Sequence, residues 1–164
     1  MNEADLTAEL VATSSAPEER ARSAERIAAS IRQFGGYRWV GVYDVTPDEI
    51  AVIGWDGPAP PAHPRFARDR GLCGAAVAAG ATVIVDDVAA DPRYLTTHTT
   101  TRSEIVVPVV RDRGVVGLID VESEVPGAFD EHDKQLLERC AAVMAPLWRA
   151  NDSLHAAADE RHGA

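Results

Sequence analysis

Residues 102–123 constrain the chain more than any other stretch. Two runs rich in Val and Ile flank Asp112-Arg-Gly114, the pattern of a β-hairpin. A three-residue loop takes a left-handed residue at its end, and Gly114 stands at that place. With that loop, Arg111 faces Val115 and, counting back, Glu104 faces Glu122. Asp120 lies two residues from Glu122, so it shares that face and sits diagonal to Glu104. Three acids then crowd one patch of two otherwise apolar strands. Like charges facing each other destabilise a sheet, and a buried carboxylate is costly unless paired. The pattern makes sense where a cation sits against it. A two-residue loop would instead turn Glu104 to the opposite face.

Composition narrows the partners. The 164 residues suit one domain with a real core, and 46% are hydrophobic. A net charge of −10 argues against nucleic acid, whose phosphates need a basic face, and against an anionic membrane. The acidic start, Met-Asn-Glu-Ala-Asp, lacks the basic and apolar regions of a signal peptide. The longest near-continuous apolar run, residues 72–85, contains two glycines and is too short to span a bilayer. Two cysteines, Cys73 and Cys140, make no disulfide framework. A cytoplasmic protein is the plain expectation.

Along the chain, residues 1–14 read as an arm or short helix, 15–150 as a single domain and 151–164 as a solvated tail. Ser15-Ala-Pro-Glu18 fits a capping box opening a helix. Ile27, Ile31 and Phe34 continue that helix to Gly35-Gly36. Strands are expected at 37–45, 49–55 and 82–85, with a stiff proline loop at 58–64 and a short Gly/Ala-rich helix at 71–80. Residues 86–101 show no periodicity and end in a threonine run around His98, which suits a functional lid. Asp130 N-caps a last helix whose Leu136, Leu137, Cys140, Val143, Met144, Leu147 and Trp148 form one apolar stripe, with Pro146 as a kink. Five strands with helices at both chain ends give an α+β layer, the helices packed on one face of the sheet.

Five ordered motifs then point to a family. They are Arg-Trp-Val-Gly-Val-Tyr43, Asp-Arg-Gly-Leu-Cys-Gly74, Arg-Ser-Glu-Ile-Val-Val-Pro108, Val-Gly-Leu-Ile-Asp-Val-Glu-Ser123 and Phe-Asp-Glu-His-Asp133. From about Gly35 to Trp148 the chain resembles the free methionine-(R)-sulfoxide reductases, a branch of the GAF domains. The resemblance implies a central antiparallel sheet, with terminal helices on one side that often serve dimerisation, hence a homodimer. It implies that Glu104, Asp120 and Glu122 hold the substrate's amino group, Glu122 standing for an aspartate. Trp39 and Tyr43 match aromatic positions near that pocket, and Trp55 takes the place of a phenylalanine. The family uses three cysteines. Only the middle one is present, as Cys73; His63, ten residues earlier, and Thr97, 24 residues later, occupy the places of the other two. Thr97 stands where the attacking thiol would be, and a hydroxyl forms no S–S product.

Each of these residues has a plainer reading beside it. The acids would be exposed or paired with Arg102, Arg93 or Arg68. Cys73 would be a small buried residue, against a reactive thiolate at a helix start. His63 and His98 would be loop histidines, against acid–base groups or, with Cys73 and the acids, ligands for a borderline metal. Thr96, Thr97, Thr99, Thr100 and Thr101 would be a polar loop, against hydroxyls that line a ligand; Trp39 and Trp55 would be core or pocket wall, Cys140 and Met144 core. Two function classes follow. One is a module binding an amino-acid-like small molecule without a cofactor. The other is an enzyme that keeps the pocket and works through Cys73, His63, Thr97 and His98, with or without a metal, or retains sulfoxide reduction by Cys73.

Overall fold

The computed structural model describes residues 1–148; the tail expected at 151–164 lies outside them. Helix α1 (Glu3–Ser14) opens on a reciprocal cap, Asn2 accepting from the Asp5 N–H and Asp5 accepting from the Asn2 N–H. The expected cap at Ser15 is not formed. Ser15 has helical backbone angles and its N–H closes on the Val11 and Thr13 carbonyls, so it ends α1. Helix α2 (Arg20–Gly35) begins after Pro17 at Glu19, without a side-chain cap, while Glu18 pairs with Arg22 and Arg26. Gly36 ends α2 in the left-handed conformation at φ +66°.

Strands β1 (Trp39–Val45), β2 (Glu49–Asp56), β3 (Arg65–Ala67), β4 (Val83–Val85), β5 (Ser103–Arg111) and β6 (Gly114–Ser123) form one antiparallel sheet in the order β3-β2-β1-β6-β5-β4. The sixth strand, β3, is three residues at the edge with two of them exposed, too short for an alternating pattern to reveal. Helix α3 (Gly71–Ala79) lies between β3 and β4.

The β5–β6 turn differs from expectation in an instructive way. Its loop has two residues, Asp112 and Arg113, at φ +54° and +93°, and Gly114 already faces Arg111 in the ladder. Val110 faces Val115, but Val109 faces Gly117, so Val116 is a one-residue bulge. The bulge absorbs the residue that the longer loop would have held. From Val109 back to Ser103 the register is the expected one, and Glu104 faces Glu122 after all.

Strand alternation then sorts the side chains. Val40, Val42, Ile105, Val107, Ile119 and Val121 pack under α1, α2 and the last helix, α4 (Glu131–Met144). Asp130 caps α4 with Asp133 in a reciprocal box. Pro146 does not kink a continuing helix: α4 stops at Met144 and a 3-10 turn, Ala145–Trp148, follows. That turn seats Trp148 over Gly117, its indole N–H donating to Asp44 at 2.7 Å. The opposite face of the sheet carries Trp39, Tyr43, Val106 and Leu118 under α3. The terminal helices thus share one face as expected, but α3 covers the other, and the acids are on its side.

Candidate functional site

Glu104, Asp120 and Glu122 project from the face that α3 covers. Glu104 stands opposite Glu122, and Asp120 stands opposite Val106, one diagonal step away. Their exposures are 4%, 2% and 1%. One oxygen of each, Glu104 Oε2, Asp120 Oδ1 and Glu122 Oε1, is buried without a hydrogen-bond partner. Leaving such an atom unpaired costs roughly 1–3 kcal/mol. The arginines considered as partners are engaged elsewhere. Arg68 donates to the Thr46 carbonyl, Arg93 pairs with Asp91, and Arg102 donates to the Thr99 and Thr101 carbonyls.

The cation that does reach the cluster is His98. Its Nδ1 lies 2.9 Å from Glu122 Oε2, and its Nε2 lies 3.3 Å from the Ala59 carbonyl. Both partners are acceptors, so only the protonated ring, with an N–H on each nitrogen, satisfies both contacts. The hydrogen bond to Glu122 accordingly holds its pKa above the usual histidine value. Thr101 donates to the same Glu122 oxygen through a short hydroxyl contact. Glu122 is therefore held from the outside at Oε2 while Oε1 stays free.

The inner pair behaves differently. Burial, and then the neighbouring acids, push the Glu104 and Asp120 carboxyls well above the ordinary range. The two carboxyls also interact with each other, so both hold protons more tightly than free acids do. This has a consequence for stability. The unfolded chain releases these protons near pH 4, the folded chain only at higher pH. Stability from the protonated pair is complete below the unfolded value and is lost as pH rises toward the folded values, by up to about 1.4 kcal/mol per pH unit for each proton held. Thermal melts from pH 5 to 8 are expected to show the unliganded protein weakening relative to a Glu104→Gln/Asp120→Asn variant. A constant difference between the two would contradict the assignment.

Aromatic rings wall the site. Trp39 and Tyr43 are buried with centroids 6.5 Å apart, and the Trp39 ring lies 5.3 Å from that of His98. The Trp39 indole N–H donates to the Ala59 carbonyl at 3.0 Å. Trp55 is half-buried on β2 and packs against the same cluster. Beside Trp39, Ala59, Thr97, His98, Thr101 and Glu122 lies a cavity of about 320 Å3. It touches Glu122 but neither Glu104 nor Asp120.

The sulfur and histidine positions separate. Cys73 is buried on α3, its Sγ 4.0 Å from Asp120 Oδ2. Burial and the adjacent acids push its thiol well above the usual range, so the helix start does not make it a thiolate. Cys140 belongs to the core on the other face of the sheet, so the two sulfurs are not juxtaposed. Thr97 lines the cavity, whereas His63 is exposed on the proline loop and is not part of its wall. Among the described residues, one group of potential metal-ligand atoms lies within 4.8 Å of one another: Cys73, Glu104 and Asp120. Neither histidine belongs to it, and its sulfur would have to lose a proton that its surroundings retain. The structure adds one group that sequence reasoning missed, the Ala59 carbonyl, and singles out the Thr101 hydroxyl from its run. A main-chain carbonyl has no sequence signal, and Thr101 is one threonine in a run of several.

The profile of the GAF domain family matches residues 19–146. A GAF domain-containing protein A from Dictyostelium discoideum is 33% identical over 119 residues, 72% of this chain and 74% of that one. The free methionine-R-sulfoxide reductase of Escherichia coli is 29% identical over 70% of this chain and 68% of its own length. Among solved structures, that of the Neisseria meningitidis free methionine-R-sulfoxide reductase with its substrate superposes with a TM-score of 0.81 at 30% identity, covering 93% of this chain and 91% of that one. Among the described residues no helix is long and apolar enough to cross a membrane.

Proposed function

The chain belongs to the GAF domain family, and from that premise we propose that it is a binding module for a small metabolite bearing a primary ammonium, a free amino acid or close derivative. One observation carries this reading: a primary ammonium has three N–H donors, and the site leaves three buried carboxylate oxygens without partners. Charge supports it as well. Burial and mutual repulsion raise the Glu104 and Asp120 carboxyls, and a bound monocation would relieve that repulsion. Trp39 and Tyr43 would flank the apolar part of the ligand, with residues 86–101 closed over it. No resident metal is part of the reading, because the guest brings the positive charge. The protomers would pair through the terminal helices, a point that sedimentation decides.

Free methionine-R-sulfoxide enters as a candidate ligand through the relatives' names. Its reduction does not. Cys73 is held as a thiol, Cys140 lies beyond the sheet, and Thr97 has no sulfur to offer. An enzyme built on His63, Cys73, Thr97 and His98 lacks convergence, since His63 is exposed outside the cavity.

Thermal-shift measurements with free L-amino acids and free methionine-R-sulfoxide, each beside its deaminated acid, test the reading. At least one amine is expected to raise the melting temperature while its deaminated counterpart does not. A turnover assay on free methionine-R-sulfoxide with a thiol reductant is expected to show nothing. Turnover that Cys73→Ser abolishes would replace a binding module with an enzyme.

A further inference from the structure

The acid cluster is sealed. The cavity reaches Glu122, yet Glu104 and Asp120 lie behind its wall with almost no exposed surface. Any guest needs part of that wall to move, and two loops meet on it: the proline loop at 58–64 and the threonine run at 96–101.

We propose that the His98 imidazolium is a bolt that ties these two loops and β6 together over the cavity, and that loss of its second proton frees the proline loop. The geometry fixes the sequence of events. A neutral imidazole has one N–H, but both His98 nitrogens face acceptors. After deprotonation one lone pair must point at an oxygen. The Glu122 contact is shorter and charged, so Nδ1 keeps the hydrogen there, and Nε2 turns repulsive toward the Ala59 carbonyl at 3.3 Å. Ala59 retains only the Trp39 indole as a donor. The wall of the cavity then loosens on its proline side, next to the Trp39 ring that His98 covers.

The charged groups around the bolt are few. From β6 comes Glu122, in contact, and just beyond its end Glu124, farther along the cavity wall. Arg38, just before β1, also lines the wall and is paired with Glu124 at 3.0 Å. The proline loop presents the Ala59 carbonyl, with the Pro60 main chain beside it, and no charge in contact. Within the bolt's own segment stand Thr97, Thr99, Thr100 and Thr101, and Tyr94, whose hydroxyl donates to the His98 carbonyl at 3.4 Å. Glu122 thus dominates what His98 senses. This role stands on the loop contacts and does not depend on what the acids bind.

The Trp39 indole hydrogen reports directly, because it is bonded to the same carbonyl as His98. Its exchange with solvent would be followed by NMR on the unliganded full chain, corrected for intrinsic pH dependence, while the His98 ring is titrated in the same samples. Protection is expected to fall at least tenfold through the His98 transition. In His98→Ala it should be low at every pH. In His98→Lys, which keeps a cation there, it should stay flat across the range in which the wild type changes. Protection that is unaltered as His98 titrates, or equal in His98→Ala and wild type below the His98 transition, would overturn the bolt. Should His98→Ala fail to fold, the wild-type titration alone decides. Because no ligand is present, either outcome leaves the ammonium reading to its own test.

Discussion

Asp120→Asn is expected to stabilise the unliganded protein and to abolish its binding of an ammonium. Asp120 is buried, burial and Glu122 make its ionisation costly, and one of its oxygens has no partner. Asparagine keeps the shape, removes the charge and supplies an amide that can pair with Glu104. A buried carboxyl that must ionise without a partner is costly, and the amide removes that cost, so the melting temperature should rise at pH 7. Removing one member of a buried charge pair costs a complex roughly 2–5 kcal/mol. Binding should therefore weaken by a factor of about thirty or more, since each 1.4 kcal/mol is about tenfold. A site kept for function at the expense of stability responds in this way. Calorimetric melts and ligand titrations on the same sample check it. An Asp120→Asn protein that is less stable and binds normally would make the acids structural.

Gly41→Val is expected to harm both fold and site. Gly41 lies in β1 between Trp55 on β2 and Asp120 on β6. A Cβ there would meet Trp39 Cη2 at 2.4 Å and Tyr43 Cε2 at 2.7 Å. Both rings are 1% exposed, so neither can swing aside into solvent. Their closeness across this position shapes the aromatic wall beside the acids. Overfilling a packed core costs roughly 1–3 kcal/mol, occasionally more, and here the strain falls on Trp39, whose indole holds Ala59. Denaturant titration should show the loss of stability, and Trp39 should lose its indole protection even in the molecules that fold. A Gly41→Val protein with wild-type stability and a protected Trp39 indole would refute the packing described for this wall.

How far the sequence is legible depends on the range of the interaction. The acid patch can be read because alternation along two neighbouring strands is local, and a bulge with a two-residue loop uses as many residues as a three-residue loop. Glu104 therefore faces Glu122 by either route, although Asp112 and Arg113, not Gly114, take the positive φ values. The Asp130 cap is equally local and is found where the residues place it. Ser15 shows the limit of such reasoning. Its surroundings fit a cap, but Asn2 had already started a helix that reaches it. The lid contacts are not legible at all. That His98 meets both Glu122 and the Ala59 carbonyl joins three segments far apart in the chain, and half of that contact is main chain. Likewise, the spacing around Cys73 suggests reactivity, while the burial that suppresses it comes from α3 lying over the acids.

The central claim is that three free carboxylate oxygens receive three N–H donors. Titration calorimetry with an amine found by the thermal-shift panel, and with its N-methyl, N,N-dimethyl and N-acetyl forms, tests it most directly. Each methyl group removes one donor while leaving the positive charge, and a hydrogen bond to a charged group contributes roughly 1.5–3 kcal/mol. Affinity should therefore fall by about tenfold or more at each methylation and vanish with the uncharged N-acetyl form. Equal affinity for the primary and N,N-dimethyl amines, or any binding of the N-acetyl form at comparable strength, would contradict the account.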